Sequence, residues 1–367
     1  MGLTDLPNEL IERIAQKLHR KRDIANLCLT CKDTHAQATR VLYRSVEFGS
    51  SHKDRELIDR LFESKSSSVK AVTFLDVCSR DPCGRTEIDE FVTYLVGKCV
   101  PGGLLRLKSL SYIRQRDEYD EYDGYGDRDF MAFGELLRCC EPLTLEHVFF
   151  RNDMLHTRSW PSLFHAITSR GTNLRFLEVG GAILAEDLRA DDADAVAAVA
   201  QELRGLEEVV LPFYLDLSIM TPENGKLGDY GHVILSFVTL PNIRAIRFST
   251  PMIAFFPITA ERREWPEDEC TDQAEEVMSE LASHLTRAAA VHRGKDTNVP
   301  LIGFGDASGA TAYTELGCVS WNEPLYFQYL GGQKDENDSW TRRWYPQEEE
   351  NRRDFAIFVP DCERYKR

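Results

Sequence analysis

LEHVFF occupies residues 145–150 and LRFLEV residues 174–179. Both place apolar side chains first, fourth and sixth, as Leu145/Val148/Phe150 and Leu174/Leu177/Val179, with other residues between them. The fourth and sixth positions alternate as on a strand whose two faces meet different surroundings. Outward from this pair, the spacing returns at Val69/Val72/Phe74, Leu107/Leu110/Tyr112, Leu206/Val209/Leu211 and Ile243/Ile246/Phe248. Val299/Ile302/Phe304 fits after a longer gap. The stretches between are helical in pattern: EIDEFVTYLVGKC (87–99), FMAFGELLRCC (130–140), WPSLFHAITSRG (160–171), DADAVAAVAQELRG (192–205) and GHVILSFVTL (231–240). The expected fold class is therefore α/β, with parallel strands alternating with helices in a solenoid. A doubly wound α/β sheet gives the same alternation. Its strands are usually continuously apolar, and the polar residues within these runs favour a sheet exposed on one face.

The repeat resembles an irregular leucine-rich repeat, although the Asn that usually follows the last strand leucine is mostly absent. In such an array the apolar set faces the core and the intervening residues face the concave side. The fifth positions are Thr73, Ser111, Phe149, Glu178, Val210 and Arg247, and the third positions include His147, Phe176 and Glu208. Aromatic and charged residues mix on this face, as on protein-recognition surfaces. Thr73, Ser111, His147, Phe149, Phe176, Glu178 and Arg247 are the candidate substrate-binding residues.

Ahead of the repeats, MGLTDLPNELIERIAQKLHRKRDI opens the chain. Leu6, Leu10, Ile14 and Leu18 recur every four residues, and Ile11 and Ala15 widen the stripe, which predicts an amphipathic helix. Pro7 suits its first position and Glu9 its first turn. Ile24, Leu27, Cys28 and Cys31 have the spacing of a second short helix, with Asp23 as N-cap. A third is expected from about Lys32 to Tyr43. Three helices this small bury too little surface to stand alone, so they need the rest of the chain or a partner.

Leu6-Pro7-Asn8-Glu9-Leu10, then Leu29-Thr30-Cys31-Lys32, then Leu42-Tyr43-Arg44-Ser45-Val46, in that order, resemble an F-box in its fungal form over residues 3–48. The family is a three-helix module that docks on the Skp-family adaptor of SCF ubiquitin ligases. The resemblance implies that Leu6, Pro7, Leu10, Ile11, Ile14, Ile24, Leu27 and Cys28 divide between the module's core and the adaptor contact. Thr34 and His35 stand where many members carry an aromatic. The resemblance implies a substrate receptor that holds the adaptor, and through it a cullin, with residues 1–48 and a protein substrate with the solenoid. It would act by proximity and catalyse nothing itself. A scaffold without ligase role, and an α/β enzyme with a helical N-terminus, are the alternatives.

The net charge of −16 is uneven: residues 1–48 carry eight Lys/Arg against six Asp/Glu, and the acidity lies in the body. An acidic body argues against nucleic-acid binding, which needs a basic face. No apolar run approaches a membrane span and no signal-peptide pattern is present, so the cytosol or nucleus is expected. The ten cysteines are scattered. Cys28 and Cys31, with His35 nearby, lack a fourth zinc ligand, and buried thiols are the expectation. No GxSxG, HExxH, Walker loop or kinase motif occurs. Gly303-Phe304-Gly305-Asp306 begins like a nucleotide loop, but no clear helix follows. No cofactor and no metal site are expected.

Two acidic stretches, 116–129 and 261–276, interrupt the array; the second leads into a helix with Val277, Leu281, Ala282, Leu285 and Ala288 on one face. The expected units are 1–48, the solenoid over 49–310, and a capping region over 311–367 with a hairpin across Asn322-Glu323-Pro324, Trp340, Trp344 and Tyr345, and a last strand at 355–359.

Overall fold

The computed structural model describes residues 6–18, 20–49, 52–63, 72–79, 85–102, 105–114, 126–152, 160–170, 173–180, 190–211, 231–248, 252–254, 278, 282, 285, 301–305, 310–313, 318–321, 325–329 and 340–343. Eight strands pair in parallel, in chain order. They are β1 (Ser45–Phe48), β2 (Phe74–Ser79), β3 (Ser109–Arg114), β4 (His147–Asn152), β5 (Phe176–Gly180), β6 (Glu208–Leu211), β7 (Ala245–Phe248) and, after the short β8 (Met252–Ala254) of another sheet, β9 (Leu301–Phe304). The order contains no reversal, whereas a doubly wound sheet reverses at a switch point.

Register explains why the spacing was legible. Val46, Leu75, Leu110, Val148, Leu177, Val209, Ile246 and Ile302 form one row across all eight strands. Two residues on, Phe48, Val77, Tyr112, Phe150 and Val179 form a second, continued by Leu211, Phe248 and Phe304. Both rows are buried in one cluster with the apolar sides of the helices. Phe150 stacks on Tyr112 at 5.6 Å and meets Phe133 at 4.8 Å. Each such side chain contributes about 1.5–3 kcal/mol on burial.

The helices of this layer are α4 (His52–Glu63), α5 (Arg85–Gly102), α6 (Gly126–Arg138), α7 (Trp160–Thr168), α8 (Ala190–Ala200) and α9 (Gly231–Val238), preceded in the chain by α1 (Asn8–Lys17), α2 (Lys21–Cys28) and α3 (Lys32–Leu42). From α4 onward, consecutive helices pack side by side. Met278, Ala282 and Leu285, at helical spacing, are helical and buried in the same core. Val277, Leu281 and Ala288 lie outside the described residues. No described helix is long and apolar enough to cross a membrane.

A polar column locks the register. The residue before each strand, at the second repeat position, runs Lys108, Glu146, Arg175, Glu207, Arg244. Lys108 pairs with Glu146 at 2.8 Å, and Arg175 grips Glu207 with Nε at 2.7 Å and Nη2 at 2.9 Å. The carbonyls of Arg44, Thr73, Lys108, Glu146, Arg175, Glu207 and Arg244 each accept from the next strand's first amide.

Several expectations are corrected. The first run is framed Val72/Leu75/Val77, because Phe74 pairs with Ser109 and not with Tyr112; Val69 lies outside the described residues. Two consecutive apolar residues, Phe74 and Leu75, made either frame readable. The sheet begins at Ser45, inside the segment assigned to the N-terminal module, and the helix 52–63 packs behind it. The hairpin does not cross residues 322–324. Instead β10 (Ala310–Tyr313) pairs antiparallel with β11 (Cys318–Trp321) in a sheet with β8, while β12 (Leu325–Tyr329) joins β9 and β13 (Trp340–Arg343) antiparallel in the main sheet. Trp344, Tyr345, residues 115–125, 261–276 and 355–359 lie outside the described residues.

Candidate functional site

Two surfaces hold the residues expected to bind partners. The first is the helical unit 6–42. Helix α3 packs on both α1 and α2 around Ala15, Ile24, Leu27, Cys28 and Ala38. Asp23 lies in the first turn of α2 and does not cap it; Arg20 holds the N-cap position without a side-chain bond. Cys31 is the N-cap of α3 and not part of α2, because its Sγ accepts the Thr34 amide at 3.5 Å while its own amide donates to Thr34 Oγ1 at 3.3 Å. Hydrogen bonds from Thr34 hold the Cys31 thiol below its ordinary pKa. Thr34 is buried and its hydroxyl reaches the Leu27 carbonyl at 3.2 Å, so a polar tie stands where an aromatic was expected. His35 Nδ1 donates to the Cys28 carbonyl at 3.0 Å. No three metal-binding side chains converge among the described residues.

The eight residues assigned to this module separate by exposure. Ile11, Ile24, Leu27 and Cys28 are buried, Leu6 is half-buried, and Pro7, Leu10 and Ile14 are exposed. Leu10 is 42% exposed, Ile14 37% and Leu29, at the end of α2, 82%. Leu10 and Ile14 stand one turn apart on α1, so the stripe that predicted the helix is only partly covered. Lys21 Nζ donates to the Ser45 carbonyl at 3.3 Å, which ties the unit to the sheet edge.

The second surface is the sheet face opposite the helices. Its third-position row is Ser45, Phe74, Ser109, His147, Phe176, Glu208, Ala245, Leu301; its fifth-position row is Glu47, Asp76, Ser111, Phe149, Glu178, Val210, Arg247, Gly303. The sequence predicted an open, solvated face. The structure differs: Glu47 is exposed and Asp76 half-buried, but Ser109, Ser111, Phe149, Phe176, Glu178, Glu208, Val210, Ala245, Arg247 and Leu301 are all buried. Strand patterning shows which residues share a face, not what covers it.

His147, Phe149, Phe176 and Glu178 come together on β4 and β5, with Phe149 and Phe176 rings 4.8 Å apart and His147 edge-on to Phe176 at 6.3 Å. Ser111 is the neighbour of Phe149. Arg247 lies two strands beyond Glu178, about 10 Å away at strand spacing. Thr73 is outside this set: it precedes β2, and its amide donates to the Arg44 carbonyl at 3.0 Å. Asp76 holds the place assigned to it, through the frame slip described above. Among the described residues, the buried hydroxyls of Ser109 and Ser111 and the Nε of Arg247 have no hydrogen-bond partner.

Other ionisable groups pair with one another away from these two surfaces. Arg175 beside Glu207 holds that carboxyl below its ordinary pKa, and Glu207 raises Arg175 in return. Lys98 and Tyr94 on α5 both bind Asp59 of α4, at 2.6 and 2.5 Å, and lower its pKa. Buried Cys99 shares a hydrogen bond with Cys139, which with burial raises its thiol pKa; burial pushes Cys140 up to about 12. Thiols kept protonated are poor nucleophiles. Of the glycine run, Gly303 lies in β9 and Gly305, at φ 100°, follows it; residues 306–309 lie outside the described residues. No family model matches the chain, and no curated protein matches it.

Proposed function

We propose that the protein is the substrate-recognition subunit of an SCF-type ubiquitin ligase. Residues 1–48 act as an F-box on a Skp-family adaptor that carries a cullin, and the sheet with its helices, a leucine-rich-repeat-like solenoid, holds a protein substrate. The observation that carries this reading is the helical unit with its own small core and Leu10, Ile14 and Leu29 left exposed. Apolar side chains grouped on so small a unit favour a partner, because exposing them in water gains nothing for the fold. Ile11, Ile24, Leu27 and Cys28 then maintain the module, while Leu10, Ile14 and Pro7, with Leu6 at their edge, face the adaptor. The mechanism is tethering: holding substrate and charged ubiquitin carrier in one assembly raises their effective concentration. Because most of Ser111, His147, Phe149, Phe176, Glu178 and Arg247 is buried, a substrate reaches that set only where the face is uncovered; Glu47 and Asp76 form its accessible end.

The test is co-expression with a fungal Skp-family adaptor. Wild-type chain is expected to capture it, and a Leu10→Asp, Leu29→Asp double variant to lose it without losing its circular dichroism signature. Failure of folded wild-type protein to capture the adaptor would remove the main support for the ligase reading. A deletion for the same purpose should stop before Ser45, since β1 belongs to the sheet.

A further inference from the structure

The helical unit and the body differ in how they treat their cations. Between Glu9 and Asp23 stand five, Arg13, Lys17, Arg20, Lys21 and Arg22, against three carboxylates, Glu9, Glu12 and Asp23. All five are exposed. In the body Lys98, Arg106, Lys108, Arg175 and Arg244 each meet a carboxylate at 3.5 Å or less. Among the described residues, none of the five does so; Lys21 Nζ takes the Ser45 carbonyl instead. Position on α1 sets these charges beside the apolar side chains left in solvent. Leu10, Ile14 and Lys17 follow at i, i+4 and i+7 along one line of the helix, and Arg13 is one turn from both Leu10 and Lys17. Glu12, two residues from Leu10 and from Ile14, faces the opposite side and accepts from Gln16 at 3.1 Å. Glu9 and Asp23 lie in first helical turns, where the helix dipole favours a carboxylate. Lys17 closes α1, and Arg20, Lys21 and Arg22 begin α2 three residues later.

We infer that this face docks an acidic protein surface, an apolar groove for Leu10 and Ile14 rimmed by carboxylates that meet Arg13, Lys17 and the run Arg20–Arg22. The inference rests on the proposal that residues 1–48 dock an adaptor, and it adds the chemistry of the partner's contact. An apolar centre inside a charged rim is the anatomy of a protein interface. Unpaired exposed cations cost the free protein little and leave their field open to a partner, so they speed encounter and reject basic surfaces. A membrane is a poorer occupant: Ile11 and Ala15 are packed in the unit's own core side, and Leu10 and Ile14 alone give little to insert. Nucleic acid is poorer still, because the body that follows is acidic.

The experiment measures association of the full chain with a purified fungal Skp-family adaptor by surface plasmon resonance, between about 50 and 500 mM salt. The wild-type association rate is expected to fall about tenfold over this range, with little change in dissociation. A Lys17→Glu, Arg20→Glu, Arg22→Glu variant should associate at least tenfold more slowly at low salt and lose the salt dependence. The matching Gln variant should fall between the two, and it decides if the Glu variant does not fold. Binding whose rate ignores both salt and these substitutions would overturn the inference and leave the ligase reading standing. No binding by folded wild type would remove both. Binding of phosphatidylserine vesicles or single-stranded DNA in place of the adaptor, or self-association that the Glu variant abolishes, would assign the face to another occupant and overturn the inference.

Discussion

The helical unit 6–42 and the sheet that follows it bury their apolar residues by different means. In the sheet, two rows of side chains run from Val46 to Ile302 and from Phe48 to Phe304 under a continuous layer of helices. In the helical unit, Ala15, Ile24, Leu27, Cys28 and Ala38 make a core of mostly small groups, and Leu10, Ile14 and Leu29 stay in solvent. Stacking strand on strand lets each repeat cover its neighbour's apolar edge, so burial accumulates along the array. Among the described residues, the three short helices have no such layer over Leu10, Ile14 and Leu29. The sheet buries its apolar rows within the chain, while the helical unit leaves part of its apolar stripe exposed.

Substitutions can break this comparison. Phe150→Ala, in the middle of the sheet core, is expected to cost about 3–5 kcal/mol in denaturant unfolding. A cost below about 1 kcal/mol would mean that the rows are not the source of stability. Leu27→Ala in the helical unit should cost about 2–3 kcal/mol, but locally. Hydrogen exchange should quicken over residues 8–42 and stay unchanged in β3–β6. Equal loss of protection in both regions would show that they unfold together, contrary to the comparison.

Smaller effects sharpen it. Arg175 depresses the folded-state pKa of Glu207, so this pair's stabilisation is complete above the unfolded carboxylate pKa and is lost as pH falls through the lower folded value. Glu207→Gln should cost less than about 1 kcal/mol at pH 7 and flatten the stability profile only on that acid side. A change confined to neutral pH would contradict the assignment. Leu143, at φ 69° before β4, adopts a left-handed backbone that costs a side-chain-bearing residue about 1–2 kcal/mol. Leu143→Gly gives back part of that as chain entropy and should stabilise by less than about 1 kcal/mol. Leu29→Ser is the least: within about 0.5 kcal/mol of wild type in unfolding, while adaptor capture falls. A large stability loss at Leu29 would make its exposure in this structure irrelevant to binding.

The runs at 107–112, 145–150, 174–179, 206–211 and 243–248, each of which enters its strand at the third residue, were legible because a residue that must face a core every second position within a strand leaves a pattern in the chain. The five helices, one ahead of each run, were legible for the same reason at period 3.6. The helix 52–63 has an apolar side in Leu57, Ile58, Leu61 and Phe62, but it stands alone before the first repeat, so periodicity does not join it to the sheet. The slip at β2 came from Phe74 and Leu75 standing side by side, where one residue of register decides which of them turns inward. Of the candidate recognition face, its membership was readable at Ser111, His147, Phe149, Phe176, Glu178 and Arg247. Its burial was not.

By itself the sequence determined the alternation of strand and helix, the side of each strand that meets the helices, and the small size of the N-terminal core, since all three follow from local periodicity and residue volume. Only the tertiary structure decided that eight strands stack in chain order, that β1 grows out of the helical unit into the sheet, that β11 and β12 part into different sheets, and that Arg247 is buried on the face opposite the helices. Those outcomes depend on contacts between residues far apart in the chain, which periodicity within a strand or helix does not encode.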